Sequence, residues 1–171
     1  MCNSKKENLL TLNFKNIALE SIGLILIGFG AEKLYVASQS EKYLALFAND
    51  FDKFQTSTTE SPGWFLTKSA LWRFGAFGTV FLLIGLFKLW KKNKKGLLDS
   101  IVSFLFAFAL IHLGFYDAKF SNSIINFLGR LISDKLNIIC IINGLFWSTL
   151  GLLIIWITIK KLHTTKYIKN C

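Results

Sequence analysis

Four polar side chains, those of Glu32, Arg73, His112 and Asn143, interrupt otherwise apolar stretches of this sequence. Counted along helices at about 1.5 Å per residue, Glu32 and His112 lie about 22 Å from the inner ends of their stretches, and Arg73 and Asn143 lie about 6 and 10 Å below the outer starts of theirs. One shared layer is therefore predicted. There Glu32 and Arg73 would neutralise each other, while His112 and Asn143 would offer hydrogen bonds to a polar headgroup such as a quinone ring.

The same four residues also have a purely structural interpretation, because an ion pair and hydrogen bonds near a membrane interface can tie helices together. Glu20 and Glu32 differ by about 120° on a helical wheel at about 100° per residue. At most one of them is therefore expected to face the centre of a bundle, and we expect Glu20 to pair with Lys15. The three cysteines lie far apart without metal-ligand spacing, so no metal site is predicted.

The elements that carry these residues are four apolar stretches, each long enough for the roughly 20 helical residues that cross a bilayer. Composition agrees, since 53% of residues are hydrophobic and seventeen are phenylalanine. We predict an all-α integral membrane protein: an antiparallel bundle of four transmembrane helices that forms a single membrane domain over residues 1–171. The predicted spans are residues 17–37, 69–90, 97–116 and 136–159.

Lysines give the predicted orientation. They cluster before the first span, between the second and third, and after the fourth, whereas the other two connections mix both signs of charge. The positive-inside tendency then places both termini in the cytoplasm and the protein in the inner (plasma) membrane. These lysines account for much of the net charge of +10, and we expect them to contact the anionic headgroups of the lipid bilayer. No nucleic-acid partner is therefore predicted.

The two outer connections carry periodic apolar residues over about 41–54 and 121–135, which predicts one or two amphipathic helices lying along the outer membrane surface. Two roles stay open for them. They either cover the mouth of the bundle or form a docking surface or lateral ligand gate.

Small residues in the spans indicate where helices meet, because they let backbones approach closely in a membrane. Stripes of such residues occur in the first, second and fourth spans, and these predicted packing positions are Gly23, Gly30, Gly75, Gly78, Gly85, Gly144, Ser148 and Gly151.

Three fragments of the long apolar stretches read IGLILIGFGAEKL over residues 22–34, GAFGTVFLLIGLF over residues 75–87 and HLGF over residues 112–115. These fragments resemble helix patterns of DoxX-like membrane proteins. An acidic residue commonly precedes the second-helix glycines in that family, whereas this chain has Arg73 near that position. The resemblance implies a four-helix inner-membrane protein, sometimes a subunit of a quinone-reducing oxidoreductase or a partner of redox-stress proteins. Lys33 and His112 are the residues that it carries over.

No catalytic signature is present, so we predict a chain that is not an enzyme by itself. The first functional hypothesis is an accessory or partner-binding subunit that acts through intramembrane helix contacts with another membrane protein or a second copy. Three alternatives stay open: a DoxX-like subunit of a quinone-linked oxidoreductase, with quinone as cofactor; an immunity protein against a pore-forming toxin; and a small transporter or channel. No proline interrupts any span, which disfavours the last.

Overall fold

The computed structural model describes residues 12–114 and 126–168, and in those ranges helices are joined by short turns and no strand occurs. The helices are α1 (Phe14–Ser38), α2 (Ser40–Phe47), α3 (Phe51–Ser57), α4 (Pro62–Trp90), α5 (Lys94–Gly114), α6 (Phe127–Ile132) and α7 (Leu136–Ile168). The short helices α2 and α3 cover one end of the long helices, next to the start of α4, and we call this end the roof end. The opposite end, with the turn of residues 91–93 and the start of α1, is the lysine end.

Three described helices are long and apolar enough to cross a membrane, namely Pro62–Trp90, Lys94–His112 and Leu136–Lys160. They correspond to the second, third and fourth predicted spans, and they fit a membrane protein. The first predicted span lies in α1, which is not among the three. α1 contains Glu20, Glu32 and Lys33 and buries several of its residues against the other helices. That α1 crosses the membrane stays a prediction.

Local sequence explains where the helices begin. Asn13 accepts a hydrogen bond from the Asn16 N–H at 3.3 Å, and Ser61 accepts one from the Trp64 N–H at 3.3 Å, with Pro62 in the first turn of α4. Such side chains satisfy N–H groups that have no partner inside the helix.

The first predicted amphipathic segment, residues 41–54, is broken in the structure. α2 ends before Asn49, whose positive φ of 57° is a conformation that asparagine tolerates better than most residues. Asp50 then caps α3 by accepting from the Lys53 N–H at 3.0 Å. Of the second predicted segment, α6 is the described helical part, and residues 121–125 lie outside the described ranges.

The core surrounds α1, which packs against α4, α5 and α7. Its central cluster of buried apolar side chains comprises Leu24, Ile27, Phe77, Ile84, Ala107, Ile111 and Ile155. A second cluster lies at the roof end, where Tyr43 and Ala45 of α2 and Phe54 of α3 pack on Phe65 of α4. Burial raises the pKa of the Tyr43 hydroxyl, because an apolar environment disfavours the charged form. The roof is thus part of the packed structure.

α1 and α7 approach most closely along a seam of small residues. A Cβ on Gly151 would lie 2.7 Å from the Gly23 carbonyl oxygen, and one on Gly30 would lie 2.8 Å from the Gly144 carbonyl oxygen and 2.7 Å from the Ser148 nitrogen. Gly23 and Gly30 are seven residues apart, as are Gly144 and Gly151, so the glycines of two antiparallel helices face each other about every two turns. This spacing lets the two backbones touch.

The glycines of α4 lie in different surroundings. A Cβ added to Gly75 or Gly78 would meet no heavy atom within 4 Å, and one on Gly85 would make ordinary contact with Leu97 at 3.7 Å. Gly75 and Gly78 therefore pack against nothing in the described part of this chain.

Candidate functional site

Glu32 and Arg73 form an ion pair between α1 and α4. Arg73 Nε donates to Glu32 Oε2 at 2.6 Å, and Arg73 Nη2 lies 2.5 Å from the same oxygen. The Arg73 and Glu32 side chains are 21% and 14% exposed. The guanidinium carbon also lies 4.6 Å from the centre of the Phe29 ring, a cation–π distance. Gly28 permits this approach, because a Cβ there would lie 3.2 Å from Arg73 Cγ. The two charges hold α1 and α4 together.

Asn143 is fully buried and serves another junction. Its Oδ1 accepts from the Gly129 N–H at 3.3 Å, and its Nδ2 donates to the Ile139 carbonyl oxygen at 2.7 Å. The Oδ1 contact joins α6 to α7, whereas the Nδ2 contact lies within α7 and fixes the orientation of the amide. In the described part of the chain, Asn143 forms no hydrogen bond with Glu32 or Arg73.

His112 is exposed on α5 and stacks on Phe108, with ring centres 5.9 Å apart and planes 8° from parallel. Lys33, the other residue carried by the DoxX-like resemblance, is half-buried and lies near enough to Glu32, Arg73 and Cys140 for electrostatic interaction. The structure thus joins Glu32 to Arg73, with Lys33 nearby, and places His112 on the surface.

A second charged group lies near the lysine end. Lys88 Nζ donates to Glu20 Oε1 and, at 2.6 Å, to Ser100 Oγ, while Ser100 Oγ donates to Glu20 Oε2 at 2.8 Å. The three residues, at most 2% exposed, are the inner triad that joins α1, α4 and α5. The expected pairing of Glu20 with Lys15 is wrong, because Glu20 points into the bundle.

The inner triad was not predicted, because Lys88 lies beside the lysines between the second and third predicted spans, which were interpreted as setting the orientation. Position along the helices offers a partial signal: Glu20 and Ser100 each lie six residues inside the start of a helix at the lysine end, and Lys88 lies two residues before the end of α4 at that same end. A hydrogen-bonded serine layer adjoins them, since Ser21 Oγ donates to the Ser103 carbonyl oxygen at 3.0 Å and Ser103 Oγ to the Asp99 carbonyl oxygen at 2.7 Å. The described side-chain hydrogen bonds of Glu20, Lys88 and Ser100 are all with one another, which indicates that the triad holds the three helices together.

An apolar groove lies between α1 and α4. Two cavities of about 630 and 280 Å³ adjoin there and share Ala31 and Trp72. Trp72 stacks on Tyr35 with ring centres 5.7 Å apart. Further along α4 the floor is made of small residues, and the remaining lining is Leu34, Ser38, Leu71, Gly75, Ala76, Thr79 and Val80. We call this surface the α1–α4 groove.

The described ranges contain no group of three His, Cys, Asp or Glu side chains placed to hold a metal ion. The Glu32–Arg73 pair and the inner triad each join helices, and the α1–α4 groove is an apolar surface. Comparisons with protein-family models, curated proteins and solved structures found no match to this chain. Functional inference therefore rests on the geometry.

Proposed function

We propose that this chain is a membrane subunit that binds a transmembrane helix of a partner protein in the α1–α4 groove. The observation that carries the proposal is the open face of α4. Gly75 is exposed, has no heavy atom within 4 Å of an added Cβ, and is followed four residues later by exposed Thr79. Small residues at this spacing are what two membrane helices use to bring their backbones together.

Burial supports a missing neighbour for α4. In the most apolar stretch of each helix, 17% of the residues are buried for α4, compared with 33% for α5 and for α7. The groove extends from Leu71 to Val80, about 13 Å along the helix, which is more than two turns. A helix fits such a surface better than lipid chains do, because lipid already solvates large apolar side chains and gains little from a floor of small ones.

The accompanying proposal for orientation is that α1, α4, α5 and α7 all cross the inner membrane, with the lysine end in the cytoplasm. The lysine clusters support it. Exposed Trp90 and Phe14 at that end also support it, because aromatic side chains favour the membrane–water interface.

Native mass spectrometry of protein extracted in a bilayer-preserving polymer tests the proposed function. We expect a discrete second protein mass on the wild type and its loss in Gly75→Leu, because a leucine would fill the groove. Gly63→Leu is the matched control: Gly63 is also exposed on α4, has open space around it, and lies outside the groove. A wild-type monomer that carries lipids alone would contradict the proposal.

The second candidate function is a DoxX-like subunit of a quinone-linked oxidoreductase. One observation favours it: Ala31 and Trp72 of the groove directly precede Glu32 and Arg73, so a polar pair adjoins an apolar channel. An isoprenoid tail would then lie in the groove with its ring toward the pair. A retained quinone-sized mass that Gly75→Leu removes would support this alternative over a partner helix.

A further inference from the structure

The lysine end contains a polar cavity of about 350 Å³, distinct from the α1–α4 groove. It lies between the start of α1 and the start of α5 and is lined by Leu12, Asn13, Phe14, Asn16, Asn93, Lys95, Gly96 and Asp99. Its volume falls in the range of small-ligand pockets, about 300–1,000 Å³. Four of the lining residues carry amide or carboxylate side chains, namely Asn13, Asn16, Asn93 and Asp99.

Asp99 is the key residue of this cavity. It lines the cavity although the residue is only 3% exposed. Its Oδ1 accepts one hydrogen bond, from the Asn13 N–H at 3.1 Å. An ionised carboxylate can accept about four hydrogen bonds, and its burial is costly without compensating donors. Among the described residues, the Asp99 carboxylate thus has acceptor capacity left beside the cavity, and a ligand ammonium group would supply both donors and positive charge.

The rest of the cavity favours the opposite charge. Both α1 and α5 begin at it, and a helix N-terminus offers N–H groups and a partial positive charge that suit phosphate. In the first turn of α5, one N–H group already has a partner, since Asn93 Oδ1 accepts from the Gly96 N–H at 2.9 Å. Lys95 adds a cationic side chain to the lining. A cation subsite at Asp99 and an anion subsite at the helix starts therefore adjoin within one cavity.

We propose that this cavity binds the zwitterionic headgroup of an amine-bearing phospholipid, with the ethanolamine ammonium on Asp99 and the phosphate at the starts of α1 and α5. The location identifies the source as lipid. Phe14 and Trp90 at this end are 78% and 76% exposed, and Lys91 Nζ lies 4.8 Å from the centre of the Trp90 ring. This combination of aromatic and basic side chains is typical of the headgroup region.

The test is native mass spectrometry of the purified full chain with equal mole fractions of phosphatidylethanolamine, phosphatidylcholine and phosphatidylglycerol. We expect the wild type to retain the ethanolamine lipid about tenfold over the other two, the ratio that one hydrogen bond to a charged group provides. Asp99→Asn keeps an acceptor for Asn13 and should remove the preference. Asp52→Asn, an exposed position on α3, is the matched control and should keep it.

Equal retention of the three lipids by the wild type, or an unchanged preference in Asp99→Asn, would overturn the proposal. A series of N-methylated ethanolamine lipids tests it without any variant. Retention should fall with each methyl group as N–H donors are lost, and retention that is constant along the series would overturn it. Displacement of the lipid by equimolar soluble phosphoethanolamine would show that a free metabolite, rather than the membrane, is the source of the ligand.

Discussion

Charged side chains in this chain differ mainly in how completely they are buried. Glu20 and Lys88 are 1% and 2% exposed, whereas the side chains of Glu60 and Lys68 in the roof end are 31% and 33% exposed. Glu60 and Lys68 also form an ion pair, and because water screens it, its contribution to stability is expected to be small. The first pair has no solvent to replace a lost partner.

We predict that Lys88→Met lowers the free energy of unfolding by about 3–5 kcal/mol, because the Glu20 carboxylate would remain buried without its cation. Unfolding in mixed micelles by a denaturing detergent measures this. Lys68→Met is the control and should cost at most about 1 kcal/mol. Adding Glu20→Gln to Lys88→Met should recover much of the loss, since no buried charge then remains. Equal effects of Lys88→Met and Lys68→Met would contradict the assignment.

Residue types and depth along the chain were enough to suspect that Glu32 and Arg73 meet, because both lie near the same end of neighbouring helices. They could not place His112 or Asn143. Which way a side chain points depends on the rotation of its helix in the bundle, and that rotation is set by packing with partners far away in sequence. Lys88 shows the same limit: its pairing with Glu20 joins positions 68 residues apart.

Helix contacts depend on glycines that look alike in the sequence and act differently in the structure. The α1–α7 seam uses Gly23, Gly30, Gly144 and Gly151 inside the chain, whereas Gly75 and Gly78 of α4 face open space. The sequence predicted all of them as packing positions. It could not separate internal seams from free faces, because that distinction depends on which helices are neighbours.

We predict that Gly151→Ala destabilises the bundle by about 1–3 kcal/mol, since the new Cβ would lie 2.7 Å from the Gly23 carbonyl oxygen and 3.0 Å from the Ile27 nitrogen, both backbone atoms. The matched control is Gly78→Ala, where the Cβ meets open space and helix propensity improves by up to about 1 kcal/mol. The same unfolding titration checks both. Tolerance of Gly151→Ala with loss in Gly78→Ala would reverse the assignment of the seam.

Element boundaries were predictable to the extent that they depend on local sequence. The apolar runs predicted the second, third and fourth long helices, and the structure extends α4 seven residues toward the roof, to Pro62, because Ser61 and Pro62 form a good helix start. The break between α2 and α3 at Asn49 was missed. The apolar period runs across both helices, so periodicity alone did not reveal the turn.

The whole molecule is organised around α1, the most polar of its long helices. α1 supplies the carboxylate of the Glu20–Lys88 and Glu32–Arg73 ion pairs and one side of the glycine seam, and it contacts α4, α5 and α7. Most of the exposed large apolar side chains accordingly lie on α4, α5 and α7. This arrangement also leaves α4 with one covered face and one open groove, which is the basis for the proposed partner.

Photo-crosslinking in the native membrane tests the central claim most directly. A photoreactive side chain at Thr79 lies in the α1–α4 groove, and one at Leu105, which is 60% exposed on α5 and lines neither groove cavity, is the control. We predict one discrete protein adduct from position 79, its loss when Gly75→Leu is added, and lipid adducts alone from position 105. Lipid adducts alone from both positions would contradict the claim that a partner helix occupies the groove.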